Sequence, residues 1–206
     1  MDRREHARME REFFDGLADG WDEMYAGDAR KAEYVAEALG LREGDRVLDV
    51  GAGTGAMIAP CLSRIGASGS ITSIDASERM ISVARRKFPP GENPNVTLLA
   101  MDAYDLEPGG GFDAAVCHSC LPHLYDKPLA VRIVSGCLRD GGRLAISHSC
   151  SMECINRAHS CHGSVIRRDM VPSIGEISAM MEACGVRPSF SRSDEECHMV
   201  VGVKGA

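Results

Sequence analysis

Residues 148–162 read HSCSMECINRAHSCH, three cysteines and three histidines in fifteen positions. Thiolates and imidazoles are donors for zinc and metalloid sites, and neutral imidazoles are also the commonest bases near physiological pH. Three readings therefore stand: a metal or metalloid site, a lining for a substrate pocket, or cysteines acting as small apolar filler. A tetrahedral zinc site usually shows two paired ligand clusters, and His148, Cys150 and Cys154 lack an equally clear second pair. SMECINRAHS reads as a helix with a serine near its start. That places Cys150 and Cys154 on one face and Ile155, His159 and His162 on another, so the six donors cannot converge on one ion. No metal ligand is assigned. The expectation is that His148, Asn156 and His159 contact a substrate and orient or deprotonate it, with most of the cysteines incidental.

A second constellation is Asp49-Val50-Gly51-Ala52-Gly53-Thr54-Gly55, which leaves an apolar run and opens a helix. A backbone that turns tightly and comes close to a ligand has no room for side chains at Gly51 and Gly53. Asp75 ends the next strand, where a carboxylate can accept both hydroxyls of a ribose. A nicotinamide dinucleotide would also suit these features. Two points argue otherwise: the glycines run G-x-G-x-G, and Asp102 ends a third strand, placed to meet the exocyclic amine of an adenine.

The elements that must position these groups alternate. Helices are expected at about 28–40, to about 65, at 77–88 and at 127–139. Strands are expected at 46–50, 70–75, 96–102, 112–118 and 143–149. This alternation predicts a mostly parallel sheet with helices on both faces, whose ligands bind beyond the carboxyl ends of the strands. After a helix over 173–184 ending at Gly185, two short strands near 187–193 and 198–203 can pair as an antiparallel hairpin.

Composition narrows the partners. The 206 residues carry 30 acidic and 23 basic side chains, a net charge of −7, with no basic stripe to neutralise a run of phosphates. Nucleic acid is therefore not expected and a small molecule is. MDRREHARMEREFF mixes both charge signs where a secretory signal needs an apolar run, and no segment approaches the roughly 18 apolar residues of a membrane span. A cytoplasmic protein is expected, and its nine cysteines are read as reduced thiols. With no linker or repeat, residues 1–206 read as one domain; a homodimer is left open.

VLDVGAGTG, SIDASERM, LLAMDA, FDAAVCHSCLPHL and CLRDGGRLAIS resemble, in order and spacing over about 33–148, the motifs of class I S-adenosylmethionine-dependent methyltransferases. The resemblance implies a Rossmann-like seven-stranded sheet ending in an antiparallel hairpin, with S-adenosyl-L-methionine as cofactor. It implies a cofactor cradle over Asp49, Gly51, Ala52, Gly53, Thr54 and Gly55, with Gly51 and Gly53 at the methionine portion. Asp75, followed by Ala76, would hold the ribose. Met80 would lie near the adenine, and Asp102 with Ala103 would hold its edge. His118 and Ser119 would stand near the transferable methyl and the incoming nucleophile. FFDGLADGWDEMY at 13–25 resembles the lid of quinone-biosynthesis-type methyltransferases, which makes residues 1–27 a helical lid and Trp21 a substrate contact beside His123. His118, His148 and His159 are the catalytic candidates.

The chain has no N/D-P-P-Y/F after the fourth strand, which argues against amino methylation of nucleobases. Arsenite methyltransferases share the fold and bind through cysteines, so a thiol or metalloid acceptor held by the Cys/His-rich segment 117–162 is an alternative. Against it, those enzymes carry a longer C-terminal domain. A non-catalytic protein that senses the cofactor or a metal is a further alternative.

Overall fold

A computed structural model describes residues 2–25, 29–161 and 165–205. The N-terminal segment forms α1 (Arg3–Leu17) and the short α2 (Trp21–Met24), joined by a 3-10 turn at Ala18–Gly20. The Asp2 side chain starts α1 by accepting the Glu5 N–H. Then follow α3 (Ala29–Ala38), β1 (Arg46–Val50), α4 (Ile58–Ile65), β2 (Ser70–Asp75), α5 (Glu78–Lys87), β3 (Val96–Ala100) and β4 (Phe112–His118). The C-terminal half adds α6 (Lys127–Cys137), β5 (Leu138–His148), α7 (Met152–Cys161), α8 (Ile174–Glu182), β6 (Val186–Ser193) and β7 (His198–Lys204).

The strands form one sheet in the order β3-β2-β1-β4-β5-β7-β6. β1 through β5 pair in parallel, while β7 runs antiparallel between β5 and β6. The expected sheet and terminal hairpin are therefore present. One boundary moves: α6 stops at Cys137, and Arg139 to Gly142 join β5 through a register shift opposite Phe112 and Ala114. Gly141 turns there at φ 72°, a conformation that favours glycine, so the pair of glycines bends a strand and does not end the helix.

Both sheet faces are covered. On one, Leu48, Val50, Ile74 and Ile146 pack with α6 and α8; on the other, Val47, Ile71 and Val116 pack with α3 and α4. Each buried Val, Leu or Ile contributes roughly 1.5–3 kcal/mol by leaving water, which keeps the parallel strand ends in fixed register beneath the site. Among the described residues no helix is long and apolar enough to cross a membrane.

Candidate functional site

The carboxyl ends of the parallel strands open into a cavity of ≈ 1040 Å³, roofed by α1 and α2. At one end lies the glycine loop. Gly51, Gly53 and Gly55 have φ of 71°, 54° and 92°, and the Gly51 and Ala52 N–H groups both donate to the Ile74 carbonyl. A Cβ on Gly51 would stand 2.3 Å from Cys120 Cβ, so glycine is required there by contact as well as by conformation. Asp75 accepts the Gly53 and Ser77 N–H groups at 2.8 Å each, tying the loop to the end of β2. Burial pushes the Asp75 carboxyl up. Asp102 and Ala103 line the same end, as do Ala52, Thr54, Ala76 and Met80. Met80 is otherwise core, packed with Ala18 and Val83 against Phe14 and Trp21.

The N-terminal segment is fastened to this end by polar contacts. The Thr54 hydroxyl donates to Asp22 at 2.6 Å, Lys87 Nζ pairs with Asp22 at 2.8 Å, and Arg79 pairs with Asp19 at 2.6 Å. The Ser77 hydroxyl, which caps α5, donates to Asp15. Trp21 lines the cavity, 3.9 Å from where a Gly53 Cβ would be.

Asp49 departs from expectation. It is buried on the sheet face opposite Val50, accepts the Ser73 hydroxyl at 3.0 Å, and does not line the cavity. Its neighbour Val50 does, because successive strand residues face opposite ways. Burial pushes the Asp49 carboxyl up to about 7. The unfolded chain therefore loses this proton before the folded one. The associated stability is whole below about pH 4, declines as pH rises toward 7 and is flat beyond, a span on the order of a few kcal/mol. Asp49→Asn should flatten that slope, measured as urea-unfolding free energy against pH in the two proteins.

The other end holds imidazoles. His118 Nδ1 lies 2.9 Å from Ser147 Oγ and its Nε2 3.3 Å from Ser149 Oγ. Ser119, at φ 55°, is the one described non-glycine residue in the left-handed region, and its N–H donates to the Ser147 carbonyl at 2.7 Å. His148 reaches the cavity but is only 1% exposed, and its Nε2 has no hydrogen-bond partner among the described residues. Burial, then the neighbouring His118 and His198 rings, hold His148 well below its ordinary value, so it is neutral. His159 also lines the cavity, its ring 5.2 Å from that of His123, and its Nδ1 meets the Asp169 carbonyl.

Three readings of this end are corrected. Asn156 does not line the cavity: its amide donates to the Val171 carbonyl at 3.3 Å and accepts the Val171 N–H at 2.7 Å, so it is spent on holding the chain after α7. Cys154 shares the cavity face of α7 with Ile155, Ala158 and His159, because the lining stripe is wider than one i, i+4 row. Cys117 and Cys120 are not separate thiols; they are joined by a disulfide across three residues, formed where the chain doubles back after β4. His162 lies outside the described residues.

Four groups were not legible as a set. His6, Glu10 and Asp169 are buried beside His123, whose Nδ1 lies 3.0 Å from Asp169 Oδ2 and 3.3 Å from Glu10 Oε2. Burial alone would lower His123, but the Asp169 hydrogen bond and the Glu10 carboxylate outweigh it and raise it. Burial pushes Glu10 up; the His123 hydrogen bond overcomes burial at Asp169 and holds it down. The one local signal is the H-x-x-x-E spacing of His6 and Glu10.

The sheet order, with the glycine loop and the acids at the strand ends, defines a Rossmann-like fold. A family described as a methyltransferase domain matches residues 47–142. The chain is 33% identical over 116 residues to a ubiquinone/menaquinone biosynthesis C-methyltransferase of Teredinibacter turnerae, covering 55% of this chain and 47% of that protein. The corresponding protein of Cellvibrio japonicus is 30% identical over 149 residues, 69% of this chain and 60% of the relative. The chain thus spans about half the length of the curated relatives it matches. Among solved structures, a SAM dependent methyltransferase from Aquifex aeolicus shares the fold at TM-score 0.68 and 22% identity, covering 84% of this chain and 88% of that one. Magnesium protoporphyrin IX methyltransferase from Synechocystis PCC 6803 with bound SAM does so at TM-score 0.74 and 18% identity, covering 100% and 98%. Over residues 47–142 the chain is thus similar to a methyltransferase domain, and it shares the fold of S-adenosylmethionine-dependent methyltransferases of known structure.

Proposed function

We propose that this chain transfers the methyl group of S-adenosyl-L-methionine to a small-molecule acceptor, with residues 1–27 as a lid over a single domain and the cytoplasm as its setting. The observation that carries the reading is one continuous cavity joining a glycine cradle to a chamber of histidines under an apolar roof. The cradle fits the cofactor: its backbone is held in conformations and contacts that exclude side chains, and the volume exceeds what one ligand of that size needs. When bound, the cofactor supplies an electrophilic methyl on a sulfonium. The remaining work is positional. Gly51 to Gly55 would hold the methionine portion, Asp75 the ribose, and Asp102 with Ala103 the adenine. Phe14 and Trp21, edge to face at 5.6 Å, would exclude water.

His118 already has a hydroxyl at each nitrogen, which suits it to orienting. Neutral His148, with Nε2 unpartnered among the described residues, is suited to orient an acceptor through a hydrogen bond at that nitrogen. The resemblance to C-methyltransferases of quinone biosynthesis favours a carbon acceptor on a small ring. Seven of the nine cysteines are free thiols, which favours a reducing compartment even with the Cys117–Cys120 bridge present. No second copy is needed to complete the site as described.

Formation of S-adenosylhomocysteine, followed by mass spectrometry with a panel of hydroquinones and phenols, tests the reading. Acceptor-dependent product is expected. Tight cofactor binding with no turnover on any acceptor would favour a sensor on the same fold.

A second reading, a thiol or metalloid acceptor, has one specific support: Cys150 and Cys154 both line the cavity. Converting Cys150, Cys154 and Cys161 together to serine is expected to keep turnover within about tenfold, about 1.4 kcal/mol of barrier. His148→Ala or His159→Ala should cost more. A larger loss in the triple variant than in either alanine variant would move the acceptor onto the thiols.

A further inference from the structure

His6 and Glu10 stand one turn apart on α1, His123 ends the turn after β4, and Asp169 follows the 3-10 turn beyond α7. Their donor atoms lie close: His6 Nε2 is 3.6 Å from Asp169 Oδ1 and 4.0 Å from Glu10 Oε1, and His123 Nδ1 is 3.0 Å and 3.3 Å from the other oxygens of the same two carboxylates. One donor atom from each of His6, Glu10 and Asp169 lies within 4.8 Å of the other two, against about 3.4 Å between ligands held at about 2.1 Å around a tetrahedral ion.

Charge points the same way. Glu10 and Asp169 are 6% and 4% exposed, and two carboxylates at such depth repel unless a cation or a proton lies between them. His123 Nδ1 carries at most one proton, and its hydrogen bond goes to Asp169. Glu10 is left with the His123 ring at 3.3 Å and no well-formed hydrogen bond to either oxygen among the described residues. One imidazole shared between two buried carboxylates offsets only part of their desolvation cost. A divalent ion would offset both carboxylates, and the set of one imidazole and two carboxylates contains no thiolate to select copper(I).

We propose that His6, Glu10 and Asp169 bind one divalent first-row transition-metal ion, of the manganese-to-zinc group, at the acceptor end of the cavity, with His123 supporting the two carboxylates from their other oxygens. The ion would join α1 to the segment that follows α7. His6, Glu10 and His123 line the cavity, so the ion would face the acceptor chamber, where it could hold an acceptor oxygen as its anion. That role rests on the methyl-transfer reading; the binding itself does not.

The test uses the full chain freed of metal by dialysis against a chelator, then titrated with Zn²⁺ and Mn²⁺ by calorimetry and with Co²⁺ by absorption. A single equivalent is expected, with a Co²⁺ spectrum of nitrogen and oxygen ligands that lacks a thiolate charge-transfer band. Glu10→Gln and Asp169→Asn, which keep side-chain shape, should each weaken binding by about 100-fold or abolish it. The triple serine variant at Cys150, Cys154 and Cys161 should bind as the wild type does. The proposal is overturned by the absence of saturable binding to the wild type, by affinity that survives both carboxamide variants, or by a thiolate band that the serine changes remove. If a carboxamide variant fails to fold, the wild-type Co²⁺ spectrum decides. Cofactor calorimetry on the metal-free protein separates the two readings: intact S-adenosylmethionine binding without a metal site would sink this inference alone.

Discussion

Gly51→Ala is expected to remove cofactor binding and to lower stability together. The added Cβ would sit 2.3 Å from Cys120 Cβ and 2.9 Å from its Sγ, and the backbone there, at φ 71°, is one that side chains disfavour. The conformation costs about 1–2 kcal/mol and overpacking about 1–3, against a fold stabilised by only about 5–15. Relief requires the loop to move away from Cys120, which carries it off the end of β1. Gly53→Val makes the informative contrast, since nothing stands closer than 3.9 Å to a Cβ at Gly53. It should fold with only the strain of its φ of 54°, yet place a branched side chain where the ligand belongs. Calorimetric titration with S-adenosylmethionine, with thermal unfolding of the same samples, reads both effects. Wild-type affinity in either variant would displace the cofactor from this loop.

Asp75→Ala should weaken S-adenosylmethionine binding by about 1–3 kcal/mol, roughly 5- to 150-fold. The carboxylate holds the Gly53 and Ser77 N–H groups, one on the cradle and one at the start of α5. Its loss frees the loop and removes the acceptor expected for the ribose hydroxyls. Asp75→Asn should fall between, because its amide oxygen can still accept one N–H. Dissociation constants for S-adenosylhomocysteine should shift in parallel, as both ligands carry the ribose. A shift confined to one of them would take Asp75 away from the sugar.

What was legible depended on how local each signal is. The glycine loop, Asp75 and Asp102 sit at strand ends whose apolar runs are short and well punctuated, so their common edge follows from the alternation of strands and helices. Asp49 was misplaced although its own strand held the correction: period-two alternation sends it away from the face that Val50 presents. Asn156 was misassigned because its partner, Val171, lies beyond residues that no periodicity describes. The cluster of His6, Glu10, His123 and Asp169 is assembled from three distant parts of the chain, and only the one-turn spacing on α1 is written locally. Chain reversals are hardest of all, and the Cys117–Cys120 bridge depends on one.

The fastening of the roof has a consequence for the catalytic cycle. Asp22 with Lys87, and Asp19 with Arg79 and Arg86, are largely exposed ion pairs, with side chains 37–66% accessible. Pairs of this kind hold about 0–1 kcal/mol each and weaken with salt. They make a latch that dissolved ions can loosen, and on the proposed methyl-transfer reading each turnover would release one spent nucleoside and admit a fresh one past it. Release of S-adenosylhomocysteine should therefore quicken as ionic strength rises, in stopped-flow displacement from low salt to roughly a Debye length of 3 Å. Asp22→Asn should start fast and respond less. In such an enzyme the surroundings set the tempo of exchange, while the chemistry beneath the roof stays dry and indifferent to salt.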